Sequence, residues 1–195
     1  MYIAIGGIDG CGKSTLRRHL VEHLEAAGLD VVGFSEPYHD FVKRLLEETR
    51  DPWTDVLLFA LDRWLLKPRV EGWIEEGKIL VASRSIYCSV AYQGAQGIRW
   101  EETLRANNWT QLRLPDVFLL LDLDAETAYS RCSGSEKFER RDMLERAREQ
   151  YLRIYDRRRE FPSRMFMIDS GGAQEETLRQ ALSVLMPLID GQSDT

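Results

Sequence analysis

The sequence predicts an α/β protein built on a five-stranded parallel sheet with helices on both faces. Three observations carry this. Five short segments rich in Val, Ile, Leu or Phe recur along the chain, as strands buried on both faces do. Helical apolar spacings fill the stretches between them. A glycine-rich turn divides the first strand-like segment from the first helix-like one.

The expected strands are residues 2–5, 31–34, 79–82, 117–121 and 165–168, each followed by polar or glycine-bearing sequence. A first helix over 13–27 stops at Gly28, a natural residue just past a helix end. A long apolar helix over 54–73 is expected to break or kink near Pro68. Residues 139–159 carry Met143, Leu144, Ala147, Tyr151, Ile154 and Tyr155 at spacings of three and four, so one face is apolar. A last amphipathic helix covers 174–188, and residues 191–195 form a frayed tail. Residues 133–137, Ser-Gly-Ser-Glu-Lys, read as a mobile loop.

The 195 residues fit one domain. The longest unbroken apolar runs, 56–61 and 117–121, fall far short of the roughly 20 residues that cross a bilayer. A formal net charge of −6 disfavours a binder of nucleic-acid polymers. The N-terminus shows no basic, apolar leader pattern. Cys11, Cys88 and Cys132 are odd in number and scattered, which suits reduced thiols in the cytoplasm.

One motif decides the chemistry. Residues 7–14, Gly-Ile-Asp-Gly-Cys-Gly-Lys-Ser, fit G-x-x-x-x-G-K-[ST] without mismatch, between a strand and a helix. Its glycines let successive N–H groups converge on an anion at a helix N-terminus. Lys13 reaches β- and γ-phosphates, Ser14 ligates Mg²⁺, and Thr15 supports the nest from the next position. This is a P-loop nucleoside triphosphate hydrolase-type fold. The chain has no N-K-x-D base-recognition motif, which disfavours a GTPase, and its length disfavours a motor ATPase.

Further residues carry a family resemblance. The run 6–15 is similar to E-G-x-D-G-x-G-K-S-T, and Phe34-Ser35-Glu36-Pro37 to T-R-E-P. Leu57-Leu58-Phe59-Ala60-Leu61-Asp62-Arg63 resembles L-L-F-x-A-x-R. Ser83-Arg84 through Ala91-Tyr92-Gln93-Gly94 resembles D-R-Y-x-x-S-x-x-A-Y-Q-G, and Lys137-Phe138-Glu139 with the segment to Leu152 resembles a lid. Over nearly its whole length the chain resembles the thymidylate kinases, among the nucleoside monophosphate kinases.

That resemblance implies strand order 2-3-1-4-5, a lid at about 131–142, a homodimer, and transfer of the ATP γ-phosphoryl group to dTMP with Mg²⁺. It implies that Gly7, Asp9, Gly10, Cys11, Gly12, Lys13, Ser14 and Thr15 hold ATP, with Arg131, Lys137, Arg140 and Arg141 adding lid charge. Asp9 also touches the acceptor sugar, and Glu36 and Pro37 orient the acceptor. Phe59 stacks on its base and Arg63 hydrogen-bonds it; the two are four apart and share a helix face. Arg84 clamps the phosphates, and Ser89 and Gln93, also four apart, contact the base.

Two positions depart from the family: Ser35 replaces an Arg that reaches the acceptor phosphate, and Ser83 replaces an Asp that organises metal and phosphates. Ser83-Arg84-Ser85 and Glu36-Pro37 also echo deoxynucleoside kinases, in which that Glu is a base for a sugar hydroxyl. A nucleotide-binding protein without turnover is the third reading. Asp122 and Asp124 read as a helix cap rather than a metal pair. His19 and His23 lack a third ligand and read as a surface helix face, and His39 is placed near the acceptor side.

Overall fold

The computed structural model describes residues 1–132 and 137–191. The expected mobile loop therefore falls, apart from Lys137, outside the described residues, as do the middle of the expected lid and most of the tail.

Strand β1 (Tyr2–Gly6) leads through the glycine-rich turn to helix α1 (Lys13–Ala26). β2 (Val31–Ser35) is followed by α2 (Asp40–Glu48) and the long α3 (Pro52–Glu75). β3 (Ile79–Ser83) precedes α4 (Ile86–Ala95) and α5 (Trp100–Ala106). β4 (Val117–Asp122), α6 (Ala125–Arg131), α7 (Arg141–Asp156), β5 (Arg164–Asp169) and α8 (Gln174–Asp190) complete the order. All pairings are parallel, in the order β2-β3-β1-β4-β5 that the resemblance implied. Every residue of β1 and β3 is buried, so helices cover both faces of the sheet centre. No described helix is long and apolar enough to cross a membrane.

The strands match expectation, each extended by one polar or glycine residue at its C-terminal end (Gly6, Ser35, Ser83, Asp122 and Asp169), and β5 also by Arg164 at its start. Helix α3 differs from expectation. It runs unbroken through Pro68, which is exposed, so the ring and the carbonyl it leaves unpaired fall on the solvent side. Asp51 caps its start, accepting the Thr54 N–H at 2.7 Å, with Pro52 in the first turn. The expected helix over 139–159 is shorter, since α7 gives way after Asp156 to a 3₁₀ turn at Arg158–Glu160. Asp124 caps α6 by accepting from the Thr127 N–H, as expected.

Candidate active site

The site forms where β1, β2 and β3 end, the usual ligand side of an open α/β sheet. The turn after β1 is possible only with glycine at key positions. At Gly10 φ is +84° and an added Cβ would collide with the Ala128 carbonyl. Gly12 caps α1 with φ +95°, and a Cβ there would meet no atom within 4 Å, so the space beside the turn is open.

Lys13 is buried and its ammonium is turned inward. It donates to the carbonyls of Gly7 (3.1 Å) and Ile8 (2.8 Å) and to Asp9 Oδ1 (3.1 Å). Arg84, just past β3, donates from Nη2 to the same Asp9 oxygen at 2.7 Å. Arg84 has φ +75°, an unfavourable backbone for a residue with a Cβ, while its N–H is held by the Ile5 carbonyl. Burial alone would raise the Asp9 carboxyl; Lys13 and Arg84 more than reverse this and hold it well below the usual carboxylate range. The Asp9 N–H donates to the Tyr92 hydroxyl at 2.8 Å, fixing the turn to α4.

Beside this turn lies a cavity of about 630 Å³. Asp9 and Arg84 stand in its wall together with Glu36, Pro37, Phe59 and Arg63. Ser89 and Gln93 of α4 line it as well. Helix α3 supplies Phe59 and Arg63 one turn apart, with the guanidinium carbon 5.8 Å from the ring centroid. Arg63 is buried and heavily bonded: Nε to Glu36 Oε2 (2.7 Å), Nη1 to Asn107 Oδ1 (2.7 Å), and Nη2 to the Ser85 carbonyl (3.1 Å) and Ser89 Oγ (2.8 Å). Burial raises the Glu36 carboxyl, with Arg63 opposing the shift. Asp62 accepts the N–H groups of Tyr38 and His39 and pairs with the His39 ring, which secures the turn after Glu36-Pro37. Among the described residues the Gln93 amide, wholly buried, has no hydrogen-bond partner.

The basic residues around the lid divide. Lys137 lines the cavity and donates to both oxygens of buried Asp55 at 2.7 Å, and neighbouring Phe138 packs on Tyr92 at 5.3 Å between centroids. Arg131 donates to the carbonyls of Ser170 and Gly171, Arg140 pairs with Asp142, and Arg141 with Glu126 and Glu145. These three arginines do not line the cavity.

The family model described as thymidylate kinase matches residues 5–181. The chain belongs to the thymidylate kinase family. A probable thymidylate kinase 1 of Saccharolobus solfataricus is 35% identical over 194 residues, covering 94% of this chain and 95% of the relative. A probable thymidylate kinase of Methanosphaera stadtmanae is 35% identical over 164 residues (79% and 83%), and one of Pyrobaculum aerophilum 37% over 161 residues (77% and 81%).

This thymidylate kinase family member is thus an ATP-dependent nucleoside monophosphate kinase that moves a phosphoryl group from ATP to dTMP. Motif reading did not single out the groups that hold its site residues in place: Asp55, Asp62, Tyr92 as a partner of Asp9, and Asn107. Asp55, Asp62 and Asn107 are fully or almost fully buried polar side chains. The spacing 55, 59, 63 on α3 was the available signal, since a carboxylate one turn before Phe59 shares its face.

A magnesium ion suits what is present. Ser14 offers an exposed hydroxyl in the first turn of α1, next to the open space at Gly12. Among the described residues no group of three acidic, His or Cys side chains is placed to hold a metal ion.

Proposed function

We propose that dTMP occupies the 630 Å³ cavity with its base toward Phe59, Arg63, Ser89 and Gln93, its sugar toward Asp9 and its phosphate toward Arg84, while ATP sits on the turn at 7–15. The observation that carries this is the single cavity shared by the apolar and amide-bearing wall and by the Asp9–Arg84 pair abutting Lys13.

On ATP binding Lys13 exchanges its Gly7 and Ile8 carbonyls for phosphate oxygens, and Arg84 turns from Asp9 to the transferring group. Both cations neutralise charge that develops in line between donor and acceptor. Magnesium, when bound through Ser14 and the phosphates, adds further neutralisation. The acceptor oxygen is already anionic and needs no base. Glu36, bonded to Arg63 at 2.7 Å, serves as an anchor for that guanidinium rather than as a base for a sugar hydroxyl. Arg131, Arg140 and Arg141 exchange their present partners for the phosphates of ATP.

The chain works as a cytoplasmic homodimer. Leu57, Leu61 and Leu65 stand four apart on α3 at 59%, 44% and 46% exposure, beside half-exposed Trp53 and Trp64. Such a stripe is what a helix offers to a second copy.

ADP release with ATP tests the acceptor against dTMP, dUMP, dCMP, thymidine and deoxycytidine. Turnover with dTMP and none with the nucleosides is expected. Turnover with nucleosides alone overturns the monophosphate reading, and ATP binding without any turnover overturns the kinase reading. Lys13→Ala is expected to lower kcat at least roughly a hundredfold.

A further inference from the structure

We propose that Asn107 is a positioning residue for Arg63, fixing the direction in which that guanidinium meets the acceptor base. This rests on the reading that Arg63 meets the acceptor base.

Asn107 caps α5 and is wholly buried, yet it does not line the cavity. Its side-chain Nδ2 donates to the Thr103 carbonyl at 2.8 Å, and its Oδ1 accepts from Arg63 Nη1 at 2.7 Å. Its own carbonyl accepts the Trp64 indole N–H at 3.1 Å, gripping α3 at the residue beside Arg63. A carbonyl can only accept and a guanidinium can only donate. The Asn107 amide therefore has one orientation that satisfies both neighbours, and the reverse would set oxygen against oxygen and N–H against N–H.

The consequence falls on Arg63. A guanidinium has five N–H bonds in one rigid plane. Here one goes to Glu36, one to Asn107, and two from Nη2 to Ser85 and Ser89. One hydrogen, on Nη1, is left. The two hydrogens of Nη1 lie in plane at fixed angles, so the bond to Asn107 decides where the remaining one points. Arg63 lines the acceptor cavity and a smaller one beside it, and a guanidinium can present only donors to either. A 4-carbonyl accepts from such a donor; a 4-amino group opposes donor to donor and leaves a buried N–H unpaired. Removing Asn107 frees both Nη1 hydrogens and the tilt of the plane, so the contact loses its direction.

Asn107→Leu keeps the volume and removes the hydrogen bonds. The readouts are kcat/KM for dTMP, dUMP and dCMP, the KM for ATP and the melting temperature, with Arg63→Lys measured alongside. In Asn107→Leu the dTMP-to-dCMP ratio is expected to fall roughly tenfold through the KM for dTMP. The dTMP-to-dUMP ratio stays level, because both bases carry the 4-carbonyl, and the KM for ATP is unchanged. Should Asn107→Leu fail to fold, Asn107→Ser, too short to reach Arg63, is read the same way. A folded variant with an unchanged dTMP-to-dCMP ratio, while Arg63→Lys lowers it, overturns the role of Asn107 and leaves that of Arg63 standing. If Arg63→Lys also leaves the ratio unchanged, the assignment of Arg63 to the base falls first.

Discussion

Asp9 holds two cations with one oxygen, Lys13 at 3.1 Å and Arg84 at 2.7 Å. Its folded pKa lies below its unfolded one, so its contribution to stability is complete above the ordinary Asp value of about 3.9 and is lost as pH falls through the folded value. Asp9→Asn leaves Lys13 and Arg84 without a counter-charge and is expected to cost roughly 3 kcal/mol at pH 7. The gap from the parent protein closes as pH falls below about 4, which denaturant unfolding across pH measures. The two family departures also gain a reason at this scale. Ser35 and Ser83, where the resemblance implies an Arg and an Asp, are register partners on β2 and β3, so an ion pair implied at neighbouring positions is replaced as a unit. The Ser83 hydroxyl is wholly buried and has no partner among the described residues. Ser83→Asp alone is expected to lose roughly 3 kcal/mol of stability, and Ser35→Arg added to it to recover at least half. Strictly additive losses in that double-mutant cycle would count against a shared site.

Helix α3 has two working faces. Asp55, Phe59 and Arg63 repeat every four residues on one face, where Phe59 and Arg63 line the cavity and buried Asp55 holds its lining residue Lys137, and Leu57, Leu61 and Leu65 repeat every four residues toward solvent. With apolar residues all round, this helix gives no clear period, which is why its extent and its passage through Pro68 were poorly legible in sequence. Helix α4 was hidden in the same way, since nine of its ten residues are buried and no polar face marks it. The strands were legible almost to their ends because burial on both faces demands unbroken apolar runs. What apolar patterning missed was each strand's last residue, the polar or glycine edge that faces the ligand side. The resemblance named Phe59, Arg63 and Arg84, which the fold brings to the wall of one cavity beside the turn at 7–15; the partners that brace them were not named, because a brace such as Asn107 is set by tertiary contact rather than by spacing. The outer face of α3 carries the dimer proposal. Leu61→Glu is expected to shift the protein to monomer in sedimentation at micromolar concentration, and an unchanged mass would remove α3 as the interface.

Across the whole molecule a net charge of −6 coexists with a cationic centre of Lys13, Arg63 and Arg84. The fold reconciles the two by giving each of these cations a carboxylate: Asp9 for Lys13 and Arg84, and Glu36 for Arg63. Several surface charges are paired within single helices, as in Arg153–Glu149 and Arg179–Glu176. The sheet order brings the ends of β1 and β3 side by side, so the turn carrying Lys13 and the strained backbone of Arg84 meet over one acid. Asp9 is thus a resident stand-in for phosphate. On the proposed reading, nucleotide entry exchanges one anion for another at these cations instead of adding charge to a bare site. Such an exchange releases few bound salt ions, so affinity for ATP falls less steeply with ionic strength than the number of cations at the site would dictate.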